Sequence, residues 1–247
     1  SYLTGSAGLN AYVLSLSAHN PDELALPQPI AQKLLDGLKN YIEGRRNQPS
    51  TDAKQQVAFY MAAVDALARY DLARPEMLDS ISMAPTSWPT SALVDGLHIL
   101  QNPLFNRTQH AELLLAIETE LSERLVQRGA ALLFTDDNVL NHMSALMVSP
   151  TTNQARLILT VADLPQWADR IPSLMHGLLA QQYRGRWGTT TENSWVLLAL
   201  EQVDQSEVLH GVTQVQLGTA PVKDILWTRK TTTPVSHQWT WEQNAPV

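Results

Sequence analysis

The chain of 247 residues contains no cysteine, which removes disulfides, thiolate metal sites and a cysteine nucleophile from these residues. Lysine is scarce, and the formal charge is -7 with 17 basic against 24 acidic side chains. A phosphate-binding surface needs the opposite balance, so nucleic acid is excluded as a partner. The arginine pairs Arg45-Arg46 and Arg184/Arg186 are too small for a recognition patch and read as solvated helix ends. No apolar run approaches the roughly 18 residues that a membrane span takes. The chain opens Ser1-Tyr2-Leu3-Thr4, with neither an initiator methionine nor a signal sequence, and Ser1 is expected to be a cut inside a longer protein.

Catalytic and ligand-binding signatures are missing too. None of the seven histidines stands in His-x-x-x-His or His-Glu-x-x-His, so helical metal-ligand geometry is lacking. Gly5-Ser6-Ala7-Gly8 has the wrong spacing for a nucleophile elbow, and no glycine-rich phosphate loop occurs. No catalytic, cofactor-binding or metal-binding residue is assigned, and no cofactor is expected.

What the sequence does contain is a helical pattern that recurs five times. The copies are Gly8 to Leu16, Ala53 to Met61, Pro89 to Leu97, Thr151 to Leu159 and Thr191 to Leu200, each a short polar lead-in followed by an Ala-, Leu- or Val-rich helix. One such unit cannot bury its own apolar face, so the copies must pack on one another. Their polar residues are few, and small residues recur, as at Ala58, Ala62, Ala63 and Ala66, which suits interior helices. Between them lie one-sided amphipathic stretches at residues 29–44, 107–127 and 166–182, the last interrupted by Pro172. Inner and outer helices thus alternate, which predicts a mainly all-α chain built as an α/α-toroid of helical hairpins. A right-handed solenoid of helix pairs is the rival architecture.

Local punctuation fits this reading. Thr189-x-x-Glu192 matches a capping box, Thr151-x-x-Gln154 its glutamine form, and Pro89 a first helical position. From about Ser206 the period changes to two, with Thr213, Val215 and Leu217 on one face and Val235, His237, Trp239 and Trp241 on another. The expected division is therefore a toroid over 1–205 and, over 206–247, a β segment of an adjoining β-sandwich-type domain.

Candidate acids for a toroidal glycosidase are Asp52, Asp136, Asp137 and Glu192, all near helix ends. First-turn acids are also what the helix dipole favours. Asp136-Asp137 lacks the third acid of an Asp-Asp-x-x-Asp motif, since Leu140 occupies that position, and a loop or helix cap is the plainer role. Trp187 and Trp195 flank the start of the fifth inner helix, where core packing is the ordinary reading and a ligand platform the alternative.

The stretch Arg184-Gly185-Arg186-Trp187-Gly188-Thr189-Thr190-Thr191-Glu192-Asn193-Ser194-Trp195 and its continuation to Leu200 resembles the last inner hairpin of the thioester domain in bacterial alpha-2-macroglobulins. Leu9 to Leu14, followed by the helix to Ile42, resembles an earlier hairpin of that domain. The resemblance extends over about residues 1 to 203 at the level of pattern. It implies a toroid inserted into a β-domain and a non-enzymatic, protease-trapping inhibitor exported to the periplasm, with inner-membrane association open for the intact protein. The implied partners are trapped proteases and periplasmic proteins. In thioester-bearing members a Cys-x-Glu-Gln motif supplies an activated ester that a protease lysine attacks. Here Ala199-Leu200-Glu201-Gln202 carries alanine where the sulfur must stand, so this segment cannot form that bond. Either the cysteine lies upstream of Ser1, in a sixth inner hairpin, or the chain belongs to a branch that traps without a thioester. The alternatives to the inhibitor are a toroidal carbohydrate-active hydrolase or lyase using Asp136, Asp137 or Glu192, and a helical protein-binding scaffold.

Overall fold

The computed structural model describes residues 7–44, 52–105, 110–135, 148–206, 211–216 and 223–227. The chain divides into two compact units, Ser1–Leu200 and Glu201–Val247. Its helices are α1 (Ala7–His19), α2 (Gln28–Ile42), α3 (Ala53–Ala68), a single turn α4 (Glu76–Asp79), α5 (Thr90–Ile99), α6 (Ala111–Arg124), α7 (Pro150–Val161), α8 (Ile171–Ala180) and α9 (Thr190–Ser206). The fold is mainly α.

The five recurring segments lie in α1, α3, α5, α7 and α9. Along α5, every residue from Thr90 to Leu97 is buried, and α3 is buried continuously from Ala63 to Ala68. By contrast α2 buries Leu35 and Leu38 alone, and α6 only Ile117 and Leu121. Glycine sets how closely α5 approaches its neighbours: a Cβ on Gly96 would meet Ile117 Cδ1 of α6 at 2.8 Å and Met61 Cε of α3 at 3.2 Å. In the first unit α1, α3, α5 and α7 pack side by side in succession, with α2 against α1 and α3, α6 against α5, and α8 against α7. Trp195 of α9 meets Tyr12 and His19 of α1 on one side and Arg156 of α7 on the other.

Four expectations need correction. Pro89 does not take the first helical position but stands one residue before α5, with extended backbone. The outer stretch 107–127 does not run helical to its end: α6 stops at Arg124, and Leu125–Arg128 is strand β1, paired antiparallel with β2 (Ala131–Phe134). Gly129, at φ +61°, opens the two-residue loop, the conformation tight hairpins ask of their first loop residue. Pro172 does not interrupt a helix either. It stands in the first turn of α8, where a missing N–H costs nothing, after a 3-10 turn over Pro165–Arg170. Finally, Ser149 and not Thr151 caps α7, its Oγ accepting from Thr152 N at 3.1 Å. Gln154 is then free for other use, donating to Leu132 O of β2 at 3.0 Å and Leu174 O of α8 at 2.6 Å.

The second unit contains the antiparallel pair β3 (Gly211–Val215) and β4 (Lys223–Trp227), in register from Gly211↔Trp227 to Val215↔Lys223. Thr213 and Val215 therefore lie on a strand, as their alternation predicts. The expected strand over Val235 to Trp241 lies outside the described residues, as does Leu217.

Candidate functional site

Three inner helices carry a charge in a stretch that is otherwise small or apolar: Asp65 in Ala62-Ala63-Val64-Asp65-Ala66-Leu67, Asp95 in Ala92-Leu93-Val94-Asp95-Gly96-Leu97, and Arg156 in Ala155-Arg156-Leu157-Ile158. A charge placed in a core must find partners or stay neutral, and side-by-side packing of α3, α5 and α7 brings these three together. Asp65 is wholly buried. Its Oδ2 accepts from Arg69 Nε, one turn along α3, at 3.0 Å and lies 3.7 Å from Arg156 Nη2, while its Oδ1 accepts from His98 Nδ1 of α5 at 2.6 Å. Arg156 Nη2 also donates to Asp95 Oδ1. At the edge, Arg69 Nη1 reaches His19 Nε2 at 2.9 Å. Because a guanidinium only donates, Nε2 is the acceptor there, which makes His19 the neutral tautomer protonated on Nδ1.

The protonation states follow from these contacts. Burial alone would raise the Asp65 carboxyl, but Arg69, His98 and Arg156 together hold it well below the usual carboxylate range. Asp95 has one cationic contact, shared with Asp65. Burial and the neighbouring Asp65 charge outweigh Arg156, and its carboxyl is pushed up to about 6. Burial and then Arg69 lower His19 to about 2. Burial works against the Arg156 charge, but Asp95 and Asp65 overrule it and raise its pKa.

A cavity of about 30 Å³ adjoins the cluster, lined by residues of α1, α3, α5, α7 and α9 that include Ser91, Asp95, Arg156 and Trp195. It is far below the roughly 300 Å³ of an organic-ligand pocket. The two aspartates, at most 1% exposed, are thus out of reach of a sugar. A wider groove of about 370 Å³ lies between the end of α2, the start of α3 and residues 80–83, with Tyr41, Gln56, Tyr60 and Met83 on its walls. Tyr60 there donates to Met77 O at 3.0 Å.

The acids singled out from the sequence are not brought together. Asp52 caps α3, accepting from Lys54 N at 2.9 Å. Glu192 closes the expected capping box: its Oε2 accepts from Thr189 N at 2.9 Å, and Thr189 Oγ1 accepts from Glu192 N at 3.1 Å. Asp136 and Asp137 lie outside the described residues, as do His142, His210, His237, Trp239 and Trp241. Trp187 is buried and donates its indole N–H to Leu178 O at 3.0 Å. Arg184 and Arg186 belong to an exposed turn, not a helix end, in which Tyr183 and Arg186 pair and Arg184 adopts φ +52°. Sequence reasoning by motif missed Asp65, Asp95 and Arg156, although lone charges in small-residue helices were the available signal. Among the described residues, no group of three or more acidic or histidine side chains could hold a metal ion, and no helix is long and apolar enough to cross a membrane.

No protein-family model matches the sequence, and no curated protein matches it by sequence. Its fold is similar to that of several solved structures. The native conformation of Escherichia coli alpha-2-macroglobulin matches over 90% of this chain and 13% of its own, with a TM-score of 0.64 at 19% identity. A crystal structure of a C-terminal portion of the native E. coli protein matches over 90% of this chain and 33% of its own, with a TM-score of 0.61 at 19% identity. A point mutant of Salmonella alpha-2-macroglobulin gives 90%, 14%, a TM-score of 0.65 and 18% identity. The chain thus has the fold of one part of these larger proteins.

Proposed function

We propose that this chain is the toroidal, thioester-domain-like part of a bacterial alpha-2-macroglobulin-like protein, exported to the periplasm, whose intact form traps proteases. The observation that carries this reading is the fold likeness over 90% of the chain to two bacterial alpha-2-macroglobulins. The Trp187-Gly188-Thr189-Thr190 element before α9 resembles the same domain in sequence. On this reading α1, α3, α5, α7 and α9 are the interior ring of a toroid over 1–205. Residues 206–247 then begin the adjoining β-domain.

The chain itself acts as a scaffold and not as an enzyme. Ala199, buried on α9, stands where a thioester would need sulfur, so these residues capture no protease covalently. Their contribution is a helical body in which the buried ion cluster ties α3, α5 and α7 together.

The test uses the intact protein. Incubation with an endopeptidase should block hydrolysis of a large substrate such as casein while leaving hydrolysis of a small chromogenic peptide nearly intact, because an enclosed protease keeps a working active site. Undiminished casein hydrolysis across a panel of proteases would refute the trap.

A further inference from the structure

Three buried polar atoms without a hydrogen-bond partner belong to residues around one cavity: Ser91 Oγ and Asp95 Oδ2 of α5, and Arg156 Nε of α7. All three residues line the 30 Å³ cavity among the inner helices. Ser91 and Asp95 are 3% and 1% exposed and stand one turn apart, so their side chains share a face of α5. Leaving such atoms unpaired is expensive, and a native core satisfies them.

Their demands define the occupant. A carboxylate oxygen accepts, a guanidinium Nε donates, and a hydroxyl does either. An anion would suit Arg156 but face Asp95, and a cation would meet the reverse problem. The fixed charges around the cavity already balance, Asp65 and Asp95 against Arg69 and Arg156, with His19 neutral. What fits is a neutral molecule that both donates and accepts. Space narrows the choice further, since a water needs about 10–15 Å³ of such volume, and at the larger figure 30 Å³ holds two.

We propose that this cavity is a hydration site, in which one or two ordered waters bridge Ser91, Asp95 and Arg156 and so tie α5 to α7 beside Trp195. The water supplies the donor that Asp95 Oδ2 lacks and the acceptor that Arg156 Nε lacks, while Ser91 orients it.

Oxygen-17 magnetic relaxation dispersion on the chain, which counts waters held longer than the tumbling time, tests this. Ala62 of α3 lines the same cavity, and Ala62→Leu fills it. The variant should lose one or two long-lived waters relative to the parent. Ser91→Ala, which keeps the space but removes one anchor, should retain the water with a shorter residence time. If Ala62→Leu does not fold, Ala11→Val fills the cavity from α1. An unchanged dispersion amplitude in the filled variant overturns the proposal. So does uptake of xenon under pressure with shifts at Trp195, because xenon enters dry cavities and not hydrated polar ones.

Discussion

Arg156 of α7 holds two partners of different kinds at once: its Nη2 donates to Asp95 Oδ1, and its Cζ lies 5.3 Å from the ring centroid of Trp195 on α9. The aromatic face adds a cation–π contact to the guanidinium's carboxylate partners. The same indole is met edge-on by His19 at 5.3 Å and Tyr12 at 6.2 Å. One side chain thus links the ionic centre of α3, α5 and α7 to the aromatic contact between α9 and α1. This coupling makes the cluster a place where substitutions read out the whole helical unit.

Asp65 is the acceptor on which the cluster converges. Asp65→Ala strands Arg69, His98 and Arg156 in the core and should cost about 3–5 kcal/mol, the usual result of breaking a buried pair from one side. Asp95→Asn keeps an oxygen for Arg156 and removes a charge that burial disfavours, so its loss should be clearly smaller. Urea unfolding of both variants measures the difference. Equal losses would mean that the cluster is not centred on Asp65.

The architecture was legible because it rests on burial, and burial leaves a periodic trace. Ala58, Ala63 and Ala66 on α3, and the run from Thr90 to Leu97 on α5, are buried as their small size and spacing predict, whereas Ala62 is only half-buried. The ion cluster was not legible by motif because Asp65 and His98, 33 residues apart, meet only when two helices pack. The β1–β2 hairpin was hidden by Leu125, whose spacing continues the apolar stripe of α6 while its backbone is already extended. Gly129, read as a turn residue, would have exposed the break. Gln154 misled for a local reason: three residues after Thr151 it looks like a cap partner, yet two buried carbonyls claim it.

The pH response has a definite sign. Asp95 has a folded pKa of about 6 against 3.8 when free, so its contribution to stability is greatest below the lower value and is lost as pH rises through the upper one. His19 acts in the opposite direction: lowered to about 2 from 6.5, it is neutral in the fold, and stability falls as pH drops below 6.5 and the unfolded chain takes the proton. Asp95→Asn removes the opposing component. Its stability should therefore climb more steeply between pH 4 and 6 than that of the parent, followed by urea midpoints at each pH. An equal or shallower climb would show that Asp95 ionises in the fold like an exposed acid.

Gly177 records how closely the β1–β2 hairpin lies on α8. A Cβ there would fall well inside contact distance of Leu132 O and 2.7 Å from Gln154 Nε2. Gly177→Ala usually favours a helix, but here it must push β2 away and loosen both Gln154 bonds. The expected result is a net destabilisation of roughly 1–3 kcal/mol, seen as a lower melting temperature. Gly129→Ala, with no neighbour within 4 Å of its Cβ, tests backbone strain alone at the same hairpin. A stabilised Gly177→Ala would mean that the hairpin does not rest on α8.

Glu192 separates the capping role from the catalytic one. As the third helical residue of α9 it returns a bond to Thr189 N while Thr189 Oγ1 accepts from Glu192 N, a reciprocal pair that glutamine can also make. Glu192→Gln should be close to neutral in thermal melts, whereas Thr189→Ala should lose about 0.5–2 kcal/mol. A general acid behaves differently, since glutamine keeps the shape and removes the proton. Incubating the parent and Glu192→Gln with a panel of polysaccharides therefore distinguishes the two roles. Turnover by the parent that vanishes in the glutamine variant would make the chain a hydrolase or lyase and overturn its reading as part of a trap.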